Sequence, residues 1–389
     1  MTKTLSLIVS ILGLGLALIA CGDNLALPDA GAPIDAPAGP PRAVIVAGDF
    51  MAGHPGVLTT LDLATRTVAT NVGPALAVGA DPILRHFGNE LFIVNRADGN
   101  NVTILDDQTL ALKEQLGTGA GSNPQDVAVR GQKLYLPAFG GLGVVVVTRG
   151  SAATATIDLS ADDPDGKPNC NSVYLVGNDL YVSCGLLDDA DMFKPRGPGK
   201  IYVIDTTDNT THAIKATLAL GHPNPLGLFE QVPASAPHGG GELLMPTALF
   251  PIPPSTALPS GCVERITTGA TPAAAGCMVD NAELKGYASR IAFQIDEDIA
   301  ITWIAAPTTY PASDLYAYDM PTSALWAGAI NASTEVIGDV ATCPAGELVL
   351  ADTTMNANGL RVYSGAAELT KAALPIGLPP KSARGLVCY

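Results

Sequence analysis

The stretch GSNPQDVAVRGQKLYLPAFGG, residues 121–141, decides the fold. It reads as two short strands about a tight turn: Val127 to Val129, a polar Arg130-Gly131-Gln132 break, then Leu134 to Ala138, with Asn123-Pro124 in front. β-Branched and aromatic residues mark the strands, and Gly, Asn and Pro punctuate them. One hairpin of this kind says little. A recurring one is the building unit of the chain.

It recurs. A strand ending in a turn or loop appears as AVIVAG (43–48), ELFIVN (90–95), KLYLPA (133–138), DLYVSC (179–184), ELLMPT (242–247), DIAITW (298–303) and ELVLAD (347–352). Each is followed by another: GVLTTLD (56–62), NVTILDD (101–107), GVVVVTR (143–149), KIYVIDT (200–206), CVERITT (262–268), DLYAYDM (314–320) and GLRVYSG (359–365). In six units a further strand comes first: DPILRHF (81–87), NPQDVAV (123–129), NCNSVYLV (169–176), NPLGLFEQV (224–232), SRIAFQI (289–295) and GDVATC (338–343). The N-terminal unit lacks that strand, and the chain ends on an unused one, RGLVCY (384–389). A ring resolves the mismatch, because the last residues then supply the missing inner strand. The expectation is an all-β, seven-bladed β-propeller over residues 43–389, closed by pairing of the C-terminal strand with the N-terminal blade, which removes an exposed edge.

Three segments carry a family likeness: GSNPQDVAVRGQKLYLPAFG, ELFIVNRADGNNVTILDDQTL and GKIYVIDTTDNTTHAIKATLALGHPNPLGL. They resemble the YVTN-type repeats of bacterial surface β-propellers, in which a G-x-x-P-x-x-V-A step, a Y-V-x-N strand and a V-x-V-I-D-x-x-T strand recur. The match runs over about residues 81–228 and fades afterwards. The likeness implies the propeller fold and an envelope location, and no particular activity, since members differ in activity and many have none assigned. Trp-Asp dipeptides are absent, so the WD40 group is not implied.

Residues 1–20 read as a secretory signal peptide: Lys3, then an uncharged apolar run from Leu5 to Ala20. The run falls short of the ~20 residues of a membrane span. Leu18-Ile19-Ala20-Cys21 resembles a bacterial lipobox, which makes Cys21 the expected site of lipid attachment. Residues 21–42, rich in Pro, Ala and Asp, then read as a tether that cannot bury enough surface to fold. The expected address is the cell envelope, by a lipid anchor, with Gly22 after the cysteine leaning toward the outer membrane.

Seven cysteines leave an odd thiol in an exported protein, and committing Cys21 to lipid leaves six. Cys170 with Cys184 and Cys262 with Cys277 each flank a hairpin, the second symmetric about Gly269-Ala270, so both pairs suit a disulfide. Cys343 and Cys388 pair by elimination. Metal binding by these cysteines is disfavoured, since there is no CxxC and no histidine at ligand spacing. Two acidic stretches, DDPDG (162–166) and LLDDAD (186–191), can attract calcium, but neither has the spacing of a calcium loop.

Asp62, Asp106, Asp205 and Asp319 close the third strands and read as Asx turns. His54, His86, His212, His222 and His238 are scattered, and no HExxH, nucleophile elbow or phosphate loop occurs. The formal net charge of −16 becomes about −17 once Lys3 is removed. Such acidity disfavours nucleic acid as a partner and repels anionic lipid, leaving attachment to the acyl chain.

Function is therefore sought on the face that carries the connections between second and third strands. Several are enlarged: 47–55, 185–199, 248–261, 305–313 and 351–358. Phe50, Phe193, Phe250 and Tyr310 are candidate apolar anchors there, with Asp189, Asp191, Lys194 and Arg196 adding mixed charge. The expected role is non-catalytic binding of a protein, glycan or small molecule. A rival is a metal-dependent, lactonase-like propeller hydrolase whose ion would be held at the channel mouth by Asp81, Asn123, Asn169, His222, Asn224 and Asp339. A third reading is a purely architectural envelope component.

Overall fold

The computed structural model describes residues 40–49, 53–97, 99–208, 210–249, 260–295, 300–307, 313–326, 337–381 and 383–389. Cys21, Phe50, Phe250 and Tyr310 lie outside them, as do the signal peptide and nearly all of the tether. Among the described residues no helix is long and apolar enough to cross a membrane.

Seven four-stranded antiparallel sheets form the blades of a propeller. Six are contiguous in sequence. The first is composite: the C-terminal strand Leu386–Cys388 pairs with Arg42–Ala47 in the register Ala43↔Cys388, Val44↔Val387, Ile45↔Leu386. The amide of Arg42 donates to the Tyr389 carbonyl at 2.9 Å, and the Tyr389 amide donates back at 3.0 Å. Cys343 of blade 7 is bonded to Cys388, so a disulfide holds the closing strand to the preceding blade.

Each blade packs its apolar side chains against the next, and there are seven such layers for seven interfaces. Blades 1 and 2 meet through Val44, Val46, Leu84, Leu91 and Ile93. Blades 7 and 1 meet through Val349, Val362, Ile45, Leu61 and Leu386. Both faces of the middle strands are thereby buried, which is why Glu90–Asn95, Gly143–Thr148 and Glu347–Asp352 are near-continuous apolar runs rather than alternating ones.

Local chemistry fixes the connections. Arg130 pairs with Lys133 across a two-residue turn in which Gly131 has φ 56°, the left-handed first position that a type II′ hairpin requires. Asp62 Oδ1 accepts from the Thr65 amide at 2.7 Å, Asp106 Oδ1 from Thr109 at 2.9 Å and Asp205 Oδ1 from Thr207 at 2.7 Å, so these carboxylates serve the Asx turns expected of them.

Two inner strands are shorter than the sequence predicts. In place of 123–129 the ladder covers Ala128–Arg130, preceded by an isolated bridge from Pro124 to Ala138. In place of 224–232 it covers Glu230–Gln231, with a bridge from Pro225 to Thr247. The intervening backbone is diverted to polar partners at the axis. The carbonyls of Pro225, Leu226 and Gly227 all accept from Asn171 Nδ2, at 3.0, 3.0 and 2.8 Å.

Candidate functional site

The inner strands and the segments leading into them bring a polar residue from every blade to the axis. In ring order these are Arg384, Arg85, Asp126, Asn171, Glu230, Arg290 and Asp339. Arg85 forms a two-pronged pair with Asp126, Nε to Oδ1 at 2.8 Å and Nη2 to Oδ2 at 2.9 Å. Its Nη1 lies 3.6 Å from Glu230, which also receives Nη1 of Arg290, and Arg290 Nε lies 3.2 Å from Asp339. Asp126 and Asp339 are fully buried. Burial opposes the charge of Arg85, but the carboxylate of Asp126 outweighs it and holds its pKa above the ordinary value. Burial lifts the pKa of Asp339 against Arg290 and the amides of Gly385, Val340 and Leu386.

Arg384 is different. Its Nη1 donates to Asn171 Oδ1 at 3.2 Å and its Nη2 to the Leu226 carbonyl, and among the described residues no carboxylate lies within ion-pair distance. Burial, then the guanidinium groups of Arg96, Arg85 and Arg290, push its pKa down to about 9 against a pull from Asp126, so it remains charged at neutral pH. Ala383 and Arg384 both have left-handed backbone, φ 53° and 66°, which costs of order 1 kcal/mol or more per residue and turns Arg384 inward. Near the end where chain enters the inner strands, Lys381 and Arg96 share one carboxylate: Asp81 Oδ1 accepts from Lys381 Nζ at 2.7 Å and from Arg96 Nη2 at 2.5 Å. The axis thus holds five cations, Arg85, Arg96, Arg290, Lys381 and Arg384, against four carboxylates, Asp81, Asp126, Glu230 and Asp339, inside a strongly acidic protein.

The six residues proposed from sequence for a channel-mouth ion are divided among several tasks. Asn123, Asn169 and Asn224 are left-handed at φ 46°, 50° and 46°, and their carbonyls accept from Phe139, Gly185 and Ala248 at 3.1 Å each. They are repeated turn residues. Asn123 Oδ1 caps the Ala97 amide at 2.9 Å, and Asn169 Oδ1 caps Leu187 at 2.9 Å. Asp81 is neutralised by two cations and Asp339 by Arg290. His222 belongs elsewhere, beside Glu264 and the Cys262–Cys277 disulfide. No histidine lies at ligand spacing in the sequence, and the fold brings His222 to Cys262 from 40 residues away.

The loop 185–199 folds back on the blade as a small hairpin, Leu187–Asp188 against Lys194–Pro195. Its Phe193 ring tilts against Phe139 of the preceding blade, centroids 5.6 Å apart. Asp189 receives Asn169 Nδ2 at 2.9 Å and Lys167 Nζ at 3.0 Å, whereas Asp191 and Lys194 are solvent-facing and 3.8 Å apart. The two acidic stretches do meet, but around a guanidinium: Arg196 lies 2.6 Å from Asp163, 3.1 Å from Asp165 and 3.1 Å from Asp188. Arg196 thus supplies positive charge to both acidic stretches.

Sequence reasoning missed Arg85, Arg96, Asp126, Glu230, Arg290, Lys381 and Arg384. A signal was present. Superposing the segments around PILRHF, PQDVAV, LFEQV, SRIAFQI, GDVATC and ARGLVCY puts one charged residue in each apolar inner segment, where burial makes it informative.

No protein-family model matches the chain, and no curated protein matches it in sequence. Solved structures do match in shape. A protein from Bacteroides uniformis, provisionally assigned as a 6-phosphogluconolactonase, superposes with TM-score 0.60 at 13% identity, over 90% of this chain and 99% of that one. A quinoprotein alcohol dehydrogenase-like protein from Bacteroides thetaiotaomicron gives 0.56 at 13% identity, over 89% and 78%. The β-propeller domain of Cps50 (Swd1) from Myceliophthora thermophila gives 0.53 at 13% identity, over 79% and 90%. At such identity the shared property is the fold, and this chain is a seven-bladed β-propeller.

Proposed function

We propose that the protein is a lipid-anchored β-propeller of a bacterial cell envelope, of the YVTN-repeat kind, that binds a small anionic ligand at its axis without transforming it. The single observation that carries the reading is Arg384, a buried guanidinium without a carboxylate partner among the described residues, bonded instead to Asn171 and the Leu226 carbonyl. A carboxylate or phosphate would supply the missing charge, and charge-assisted bonds to guanidinium are the strong ones. The acidic exterior repels anions in general, so selection rests on the axis. Binding without chemistry fits the way Asp126, Glu230 and Asp339 are already consumed by Arg85 and Arg290.

The test uses the full-length protein in detergent, titrated calorimetrically with citrate, inorganic phosphate and glucose. Citrate or phosphate binding that weakens with salt, and at least tenfold in Arg384→Gln and less in Arg384→Lys, supports the reading. Equal binding by Arg384→Gln, or a preference for glucose, overturns it. Turnover of an added sugar lactone in the presence of manganese would establish the hydrolase instead.

A further inference from the structure

At the outer part of blade 5, away from the axial charges, His222 meets a disulfide and a buried carboxylate. Its Nδ1 is 3.4 Å from Cys262 Sγ, 3.8 Å from Cys277 Sγ and 3.1 Å from Glu264 Oε1. The ligating atoms of His222, Cys262 and Cys277 all lie within 4.8 Å of one another. Glu264 is held in place by the amides of Gly221 at 2.9 Å and His222 at 2.7 Å. The disulfide expected between Cys262 and Cys277 is present. Cys262 stands opposite Asp280 and Cys277 opposite Glu264, because bulges shift the register.

These spacings have a chemical meaning. A tetrahedral zinc ion with Zn–S near 2.3 Å and Zn–N near 2.0 Å has S···N edges of about 3.6 Å and N···O edges of about 3.4 Å. The three edges from His222 are already near those values. Within the group of His222, Cys262 and Cys277 the sulfur-sulfur edge is the one that does not fit, since a covalent bond of about 2.0 Å stands where about 3.8 Å is needed. We propose that Cys262, Cys277 and His222, with Glu264 set against His222, form a redox-gated zinc site, closed while the disulfide is intact and opened by a dithiol reductant.

Access favours this pair. Cys277 is exposed, whereas Cys170, Cys184 and Cys343 are buried and Cys388 is half-buried. A thiolate of the reductant attacks Cys277 Sγ and the Cys262 sulfur leaves with the electron pair. The second thiol of the reductant then displaces Cys277, leaving two protein thiols and an oxidised, cyclic reductant. Zinc binding releases the two thiol protons, and His222 ligates through Nδ1 with its proton on Nε2.

The experiment loads Co²⁺ alone onto the full-length protein in detergent, before and after anaerobic treatment with dithiothreitol and its removal by desalting. The expected result is one Co²⁺ per chain in the reduced protein only, with a thiolate-to-cobalt charge-transfer band and tetrahedral ligand-field bands, displaced by Zn²⁺. His222→Ala and Cys277→Ser abolish those bands, and Glu264→Gln weakens affinity on the order of 10- to 100-fold. The paired variant Cys170→Ala/Cys184→Ala retains them. Circular dichroism reports whether the reduced protein stays folded. Equal uptake by the oxidised protein, bands unchanged in His222→Ala, no stoichiometric uptake, or unfolding on reduction each overturns the proposal.

Discussion

His86 shows how a single buried side chain couples the ring to pH. Its side chain is 6% exposed and stacks on Tyr389, centroids 4.0 Å apart, while Nε2 lies 2.9 Å from Asp107 Oδ2. Tyr389 is itself fixed, its hydroxyl donating to the Asp107 carbonyl at 2.8 Å and accepting from Arg42 Nε at 3.2 Å. Burial lowers the His86 pKa below 6.5; the bond and charge of Asp107 oppose this, and Arg42 adds to it. The folded state therefore takes up this proton less readily than the unfolded chain. The stabilising contribution is present above about pH 6.5 and is lost as pH falls from there through the lower folded value. His212, lowered chiefly by burial and then by Lys133, acts in the same direction. Urea midpoints should drop between pH 7.5 and 5.5, and His86→Gln should flatten the drop, with His86→Gln/His212→Gln flattening it further. An unchanged slope in the double variant would show that neither imidazole is the source.

The element that repeats most faithfully is the corner before an inner strand. Asn123, Asn169 and Asn224 each take a left-handed conformation, and each ties its corner to the loop between the second and third strands of its own blade. Asn tolerates that conformation better than other residues with a Cβ, which makes it a turn residue with a physical cause. The sequence made the corner visible as Asn-Pro, but it hid the outcome: the strand begins later, because Asp126 and the carbonyls near Leu226 are claimed by partners on other blades. The same reason limited the reading of the site. A charged residue in an apolar run is visible in one dimension, whereas the pairing of Arg85 with Asp126, or of Arg290 with Asp339, exists only once the ring is closed. Asn123→Ala should cost about 2 kcal/mol, from backbone strain and the lost bonds to Ala97 and Gln125. Asn123→Gly, which keeps the conformation and loses only the bonds, should cost about 1 kcal/mol. Equal losses in denaturant melts would remove the backbone from the explanation.

At the scale of the molecule, stability depends on closing the ring, and one of the three disulfides among the described residues serves that step. Cys343–Cys388 spans 45 residues and joins blade 7 to the final strand, whereas Cys170–Cys184 spans 14 within one hairpin. The difference was legible as spacing, but its meaning depended on the composite first blade. A cross-link stabilises chiefly by restricting the unfolded chain, and the restriction grows with the loop it closes. That gives roughly 4 kcal/mol for the closing bond against roughly 3 kcal/mol for the hairpin bond. Cys343→Ala/Cys388→Ala should therefore lose more stability than Cys170→Ala/Cys184→Ala in urea. It should also behave differently in place. The amides of Arg42, Val46 and Tyr389, which bond across the closure to Tyr389, Gly385 and Arg42, should exchange with deuterium sooner than amides inside blade 4. The hairpin variant should leave the closure amides protected. If both variants lose equal stability and the closure amides stay protected without Cys388, ring closure rests on the hydrogen-bonded ladder and on the apolar layer between blades 7 and 1, and the disulfide is incidental to it.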